Sequence, residues 1–274
     1  MPYPGRDLSP LSIRTRAAAV ASTGYTGIGM SLADLRRELT LISLADLASM
    51  LDDLGLVHRE LEFLDDWWTD GERRKQSDED RRFLLSAAES LGASHVKIGA
   101  HVSKDGGPLP ILDVDRLAGP LHELARDADS HGTSLALEYL PMSDVSNVAE
   151  GVRVVEAADH PMAGLCVDIW HTERSGSPLA DVAAIPSGKI RCVELSDARP
   201  EVVGTLFDDT INNRVLPGLG TFDIAGFISA VRGAGFTGPW GVEIISEMER
   251  RRPIENALRD AHDATRPYLE SWAD

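Results

Sequence analysis

Four apolar runs in succession end in an acidic residue, and no other feature limits the folding of this chain so tightly. Leu135, Ala136 and Leu137 run into Glu138; Leu165, Cys166 and Val167 into Asp168; Ile190 to Val193 into Glu194, with Asp197 close behind; and Trp240 to Val242 into Glu243. Short apolar runs bounded by turn residues read as strands covered on both faces, as parallel strands are. The steps from Glu138 to Asp168 and on to Glu194 are each close to the roughly 30 residues of one strand-plus-helix unit in a (β/α)8 barrel, whose strand ends converge on one rim. The step to Glu243 is longer, and its irregular segment, 199–220, is expected to be a long loop over that rim.

Periodicity extends the alternation along the chain. Helices are expected over 13–23, 32–50, 79–91, 114–131, 146–158, 179–185, 223–233 and 254–272, and charged or polar loops over 65–80 and 101–110. Seven strands centre near residues 28, 57, 96, 136, 166, 192 and 242, the last spanning 239–245. An eighth, the first of the barrel, has to lie within 1–12, where Leu8 and Leu11 are the apolar residues. No linker or composition shift interrupts the pattern, so the expectation is one α/β domain over 1–274, a TIM barrel, with a doubly wound open sheet as the alternative.

Charge and cysteines exclude whole classes of function. Twenty-seven Lys and Arg against 44 Asp and Glu leave a net −17, which repels a phosphate backbone, so nucleic acid is not an expected partner. Cys166 and Cys192 fall inside predicted strands and read as small buried hydrophobes of a reducing compartment. No apolar run approaches the roughly 18 residues of a membrane span. The N-terminus, with Pro2, Pro4 and Asp7, lacks signal-peptide character, and a cytoplasmic protein with no membrane partner is expected.

The stretch after Val167 gathers chemistry. Asp168 closes a buried strand, and His171, Glu173 and Arg174 follow in the expected loop. A carboxylate, an imidazole and a guanidinium at this spacing can hold a cation together with an oxygen-rich ligand; the plainer alternative is that Asp168 caps a following helix. Earlier, Glu60 and Glu62 alternate with Leu61 and Phe63, which turns one of the two acids into the barrel.

Taken together, Glu138, Asp168 with His171 and Arg174, the V-E-L-S-D-A segment at 193–198, the L-P-G-L-G-T-F-D segment at 216–223 and Glu243 resemble the xylose-isomerase-like sugar phosphate isomerase/epimerase superfamily over nearly the whole chain. The resemblance implies one divalent metal ion held by Glu138, Asp168, Glu194 and Glu243. The third of these positions usually carries a neutral ligand, and here it is Glu194. Four carboxylates around one divalent ion leave an excess of negative charge, to be offset by Lys97, Arg174, Arg199 or Arg214. Alternatively, Glu194 is protonated or salt-bridged, and three residues hold the metal. Oxygen-only ligation favours Mn or Mg over Zn.

The same resemblance implies isomerisation or epimerisation of a ketose or related polyhydroxy carbonyl compound through an enediolate. Glu138 and Glu243 would shuttle the proton, and His171 would act as base or orient a hydroxyl. Arg174, Glu62, Lys97 and Arg214 would contact the substrate. Trp67, Trp68, Trp170 and Phe207 are candidates to wall the pocket; His101 can reach the site, and His95 lies toward the opposite rim. The V-E-L-S-D-A segment is closer to the version in 3-dehydroshikimate and inosose dehydratases, so a lyase is the alternative reaction, and a non-catalytic sugar-binding barrel is a third reading. The endonuclease branch needs many histidines and a basic face, both lacking here. Gly218 and Gly220 look like a phosphate cradle but have no following lysine. Apolar and aromatic loop residues point toward a homodimer.

Overall fold

The computed structural model describes residues 8–109 and 111–270. Its elements run α1 (Ile13–Ser22), β1 (Gly27–Ser31), α2 (Leu32–Glu38), α3 (Leu44–Asp53), β2 (His58–Leu64), α4 (Gly71–Leu91), β3 (His95–Gly99), α5 (Val114–Ser130), β4 (Ser134–Glu138), α6 (Val148–Ala157), β5 (Ala163–Asp168), α7 (Ile169–Arg174), α8 (Leu179–Ala183), β6 (Ile190–Leu195), α9 (Leu206–Asn212), α10 (Ile224–Gly233), β7 (Gly241–Val242) and α11 (Ile254–Glu270). All seven expected strands form. Each pairs in parallel with the next in sequence, from β1 through to β7. A doubly wound sheet reverses its strand order at a switch point, and this one does not, so the winding is that of a TIM barrel. The strand expected within 1–12 does not appear over residues 8–12; residues 1–7 lie outside those described.

Strand alternation separates two interiors. Leu135, Leu137, Leu165, Val167, Val193 and Leu195 point outward into the main core, where they pack with helix residues such as Leu84, Leu121, Val154 and Phe227. The alternate positions face inward. Ala136, Cys166 and Cys192 form a small separate inner cluster. Directly above them in sequence register stand Glu138, Asp168 and Glu194, each two residues further along its strand. Small side chains in the middle layer leave room for charged groups at the C-terminal end.

Several local expectations are corrected. The helix expected over 32–50 is two helices, because Ser43 and Asp46 form a reciprocal capping box that starts α3. Helix α4 begins at Gly71, well before residue 79. Its first turns are polar all round, without apolar periodicity to reveal them, and ion pairs such as Arg74–Asp78 (2.8 Å) stabilise them. Residues 169–174 are helix α7, not loop. The long loop over 199–220 contains α9, started by a capping box between Thr205 and Asp208. Strand β7 is shorter than 239–245, although the Glu243 amide still bonds the Leu195 carbonyl at 3.0 Å. The last helix is described as far as Glu270; residue 272 lies outside. Among the described residues, no helix is long and apolar enough to cross a membrane.

Candidate active site

The four acidic strand ends come together. One carboxylate oxygen from each of Glu138, Asp168, Glu194 and Glu243 lies within 4.8 Å of the others, and all four residues are buried. They sit at the floor of a cavity of about 460 Å³ at the C-terminal end of the sheet. Glu138, Glu243, Glu62, Lys97, His171 and Arg214 line it, while Asp168 and Glu194 lie beneath that lining.

Two buried cations hold the cluster. Lys97, from the middle of β3, places its Nζ 2.6 Å from Glu194 Oε1, 2.8 Å from Glu62 Oε2 and 3.5 Å from Glu243 Oε1. Burial works against its charge, but Glu194, Glu62 and Glu243 outweigh that and hold its pKa well above the ordinary lysine value. Arg214 bridges Asp168 Oδ2 at 2.7 Å and Glu243 Oε2 at 3.0 Å. Its remaining N–H groups donate to the Thr210 carbonyl and hydroxyl at 3.2 and 2.9 Å, and its plane lies over the Trp170 ring. Acids still outnumber these cations, and burial, then the Glu243 charge, pushes the Glu194 pKa up. Glu138 goes the other way: burial opposes its ionisation, but Lys97 and the His171 hydrogen bond prevail and lower its pKa.

Asp168 does two jobs at once. Its Oδ1 accepts the Trp170 amide at 2.7 Å and caps α7, so the plainer alternative is also true. Its Oδ2 faces the cluster. One turn of α7 then brings His171 back over the floor, with Nε2 at 3.3 Å from Glu138 Oε1 and 3.4 Å from Asp168 Oδ2. His171 Nδ1 is buried without a hydrogen-bond partner among the described residues.

Arg174 does not line the cavity. Its guanidinium is held by Asp209 at 3.0 Å and by the carbonyls of Arg199 and Pro200, and it stacks over Trp170 and Phe222. It therefore ties the segment after β6 to α7, and its ion pair is with Asp209. Arg199 is exposed, whereas the four acids are buried. Trp68, Phe207 and His101 line the cavity, whereas Trp67 and Trp170 are buried outside it, Trp67 donating to the Gly99 carbonyl. His95 lies on the other side of the inner layer, bonded to Glu60, so both β2 acids face inward.

The glycines at 218 and 220 bind a carboxylate of the chain itself. Asp197 accepts the amides of Gly218 and Gly220 on Oδ2 (3.0 and 2.9 Å) and those of Phe222 and Ala198 on Oδ1 (3.0 and 2.8 Å). A Cβ at position 220 would collide with the Ala198 carbonyl and the Asp197 carboxylate. The cradle is therefore filled, and the phosphate reading of these glycines fails. Sequence reasoning missed Thr210, Asp209 and α9; the T-x-x-D pattern at 205–208 is the signal that marks where α9 begins.

Four converging carboxylate oxygens fit a single divalent cation. Lys97 and Arg214 supply the positive charge that makes a fourth acid tolerable there.

The family model for the xylose isomerase-like TIM barrel matches residues 17–268. Over 265 residues the chain is 29% identical to the 3-dehydroshikimate dehydratase of Pseudomonas aeruginosa, covering 92% of this chain and 40% of that enzyme. The chain thus spans about two fifths of the length of that curated relative. It is 29% identical over 147 residues to the inosose isomerase of Halalkalibacterium halodurans, covering 53% of this chain and 51% of that protein. The crystal structure of an IOLI protein with a bound zinc atom superposes with a TM-score of 0.85 at 20% identity, covering 96% of this chain and 94% of that one, a likeness of fold.

Proposed function

The chain belongs to the xylose isomerase-like TIM-barrel family, and from that premise we propose that it is a divalent-metal-dependent isomerase or epimerase of a ketose or related polyhydroxy carbonyl compound. The convergence of Glu138, Asp168, Glu194 and Glu243 beneath one cavity is the observation that carries this reading. These four residues would hold the metal. When bound, such an ion polarises a carbonyl and stabilises negative charge on the adjacent oxygens.

The residues of the chain supply the rest. Glu138 and Glu243 enter the cavity from β4 and from just beyond β7, three strands apart in the sheet, so one could take a proton from carbon and the other return it. The lowered pKa of Glu138 keeps it ionised and able to accept. His171 Nε2, beside Glu138, can orient a hydroxyl or relay the proton. Glu62, Lys97 and Arg214 present a carboxylate and two cations to substrate oxygens, and Trp68 and Phe207 offer apolar walls to C–H faces. Arg174 has no part in this scheme.

A second reading, dehydration, is favoured by the 92% of the chain that aligns with a 3-dehydroshikimate dehydratase. The two share their first step, removal of a proton next to a carbonyl; in dehydration a β-hydroxyl then leaves instead of the proton returning. Manganese-loaded protein incubated in deuterated water with a panel of ketoses and hydroxylated cyclic ketones tests both. Deuterium in an isomeric product supports the isomerase, and loss of water the lyase. Absence of exchange on every substrate that binds would overturn the enzyme reading and leave a sugar-binding barrel.

A further inference from the structure

We propose that the inner layer beneath the candidate active site is a second metal site of a different chemical kind, formed by Glu60, His95 and Cys192 and suited to zinc. Each of the three stands two residues before a rim residue on its own strand: Glu62, Lys97 and Glu194. The group is therefore about 6 to 7 Å deeper along the strands. One donor atom from each lies within 4.8 Å of the others. His95 Nε2 is 2.9 Å from Glu60 Oε2, and Cys192 Sγ is 3.4 Å from that oxygen. Donors bound to tetrahedral zinc at about 2.0 to 2.3 Å stand roughly 3.3 to 3.7 Å apart, so small side-chain shifts complete the site.

The hydrogen bonds around His95 leave room for a cation. Ser94 Oγ lies 3.2 Å from the Arg59 carbonyl, to which it can donate, and 2.9 Å from His95 Nδ1, from which it can then accept. In the tautomer whose Nδ1–H donates to that hydroxyl, Nε2 turns its lone pair toward the Glu60 carboxylate 2.9 Å away, as a metal ligand would. A hydrogen-bonded Nδ1–H that fixes the ring with Nε2 toward the ion is the usual support of a ligating histidine.

Charge and access agree. The carboxylate of Glu60, a Cys192 thiolate, a neutral His95 and one divalent ion sum to zero, so no net charge is buried. Imidazole and thiolate select zinc or cobalt, whereas the oxygen-only cluster above suits manganese or magnesium. A second cavity of about 510 Å³ along the edges of β1 and β7 is lined by Gly27, Gly29, Glu60, His95, Cys192 and Gly241, so the three donors border a space that a metal ion could enter.

Cobalt distinguishes the two sites, because a thiolate ligand gives a charge-transfer absorption in the near ultraviolet that oxygen ligands cannot. Metal-free protein titrated with cobalt in excess magnesium should take up one tight equivalent with that band. Cys192→Ser and His95→Gln should lose the band, and Glu243→Gln and Asp168→Asn should keep it. In native wild-type protein, zinc should also slow alkylation of Cys192, followed by mass spectrometry, at least tenfold. A wild-type titration without the band, or an alkylation rate unchanged by zinc, would overturn the proposal and leave His95 as a hydrogen-bond partner of Glu60.

Discussion

Lys97 Nζ lies 2.6 Å from Glu194 Oε1, and both side chains are almost wholly withdrawn from water. The pair lets a fourth carboxylate be buried in the cluster: the chain brings its own cation to Glu194 from β3. Lys97→Met should cost about 3 to 5 kcal/mol in the metal-free protein, because it leaves buried acids uncompensated. Lys97→Met combined with Glu194→Gln should recover a large part of the loss in urea unfolding. Equal destabilisation of the single and double variants would mean that the pair is not a unit.

Glu243→Gln keeps an oxygen of similar volume but removes the basic one. If Glu243 shuttles a proton, the variant should retain substrate affinity and lose turnover by roughly 10² to 10⁴. Solvent deuterium exchange into the substrate separates the halves of the reaction: exchange that persists while product formation stops assigns abstraction to Glu138 or His171. Wild-type exchange and turnover together would remove Glu243 from the proton path.

Asp197 accepts four backbone amides and thereby fixes the segment carrying Gly218 and Gly220. Asp197→Ala should destabilise by about 1 to 3 kcal/mol, since one buried and three part-buried amides lose their acceptor. Hydrogen exchange should show the amides of 218, 220 and 222 losing protection first. Added inorganic phosphate should leave those amides unchanged in the wild type, because the position is occupied.

Asp208 starts α9, whose residues Phe207, Thr210 and Ile211 line the cavity. Bonds from the Thr205 amide and then the Thr205 hydroxyl hold its pKa below the ordinary aspartate value. A carboxylate whose pKa is depressed by folding stabilises above its unfolded value, near about 3.9, and that contribution is lost as pH falls through the lower folded value. Asp208→Asn should therefore lower Tm relative to wild type at neutral pH, with the difference shrinking in acid. A difference that stays constant across the range would remove the charge from the explanation.

The seven strands and their acidic ends were legible in the sequence because they depend on neighbours along the chain: an apolar run sets the strand, and alternation sets which side faces inward. Parallel strands wound in order then carry Glu138, Asp168, Glu194 and Glu243 to one end, so the core of the site follows from local pattern plus topology. The polar start of α4 and the helix α9 were hidden, since ion pairs and capping, not apolar period, hold them.

Only the tertiary structure decided which partner each polar group takes. Arg174 and Arg214 were indistinguishable as candidates, yet one is bound by Asp209 outside the cavity and the other clamps Asp168 and Glu243 at its floor. Asp197 filled the glycine cradle that suggested phosphate, and Lys97 crossed the barrel to Glu194, 97 residues away in sequence. Hydrophobic patterning is read over a few residues, whereas the strength of a buried ion pair depends on distances of a few ångströms between segments that the sequence keeps far apart.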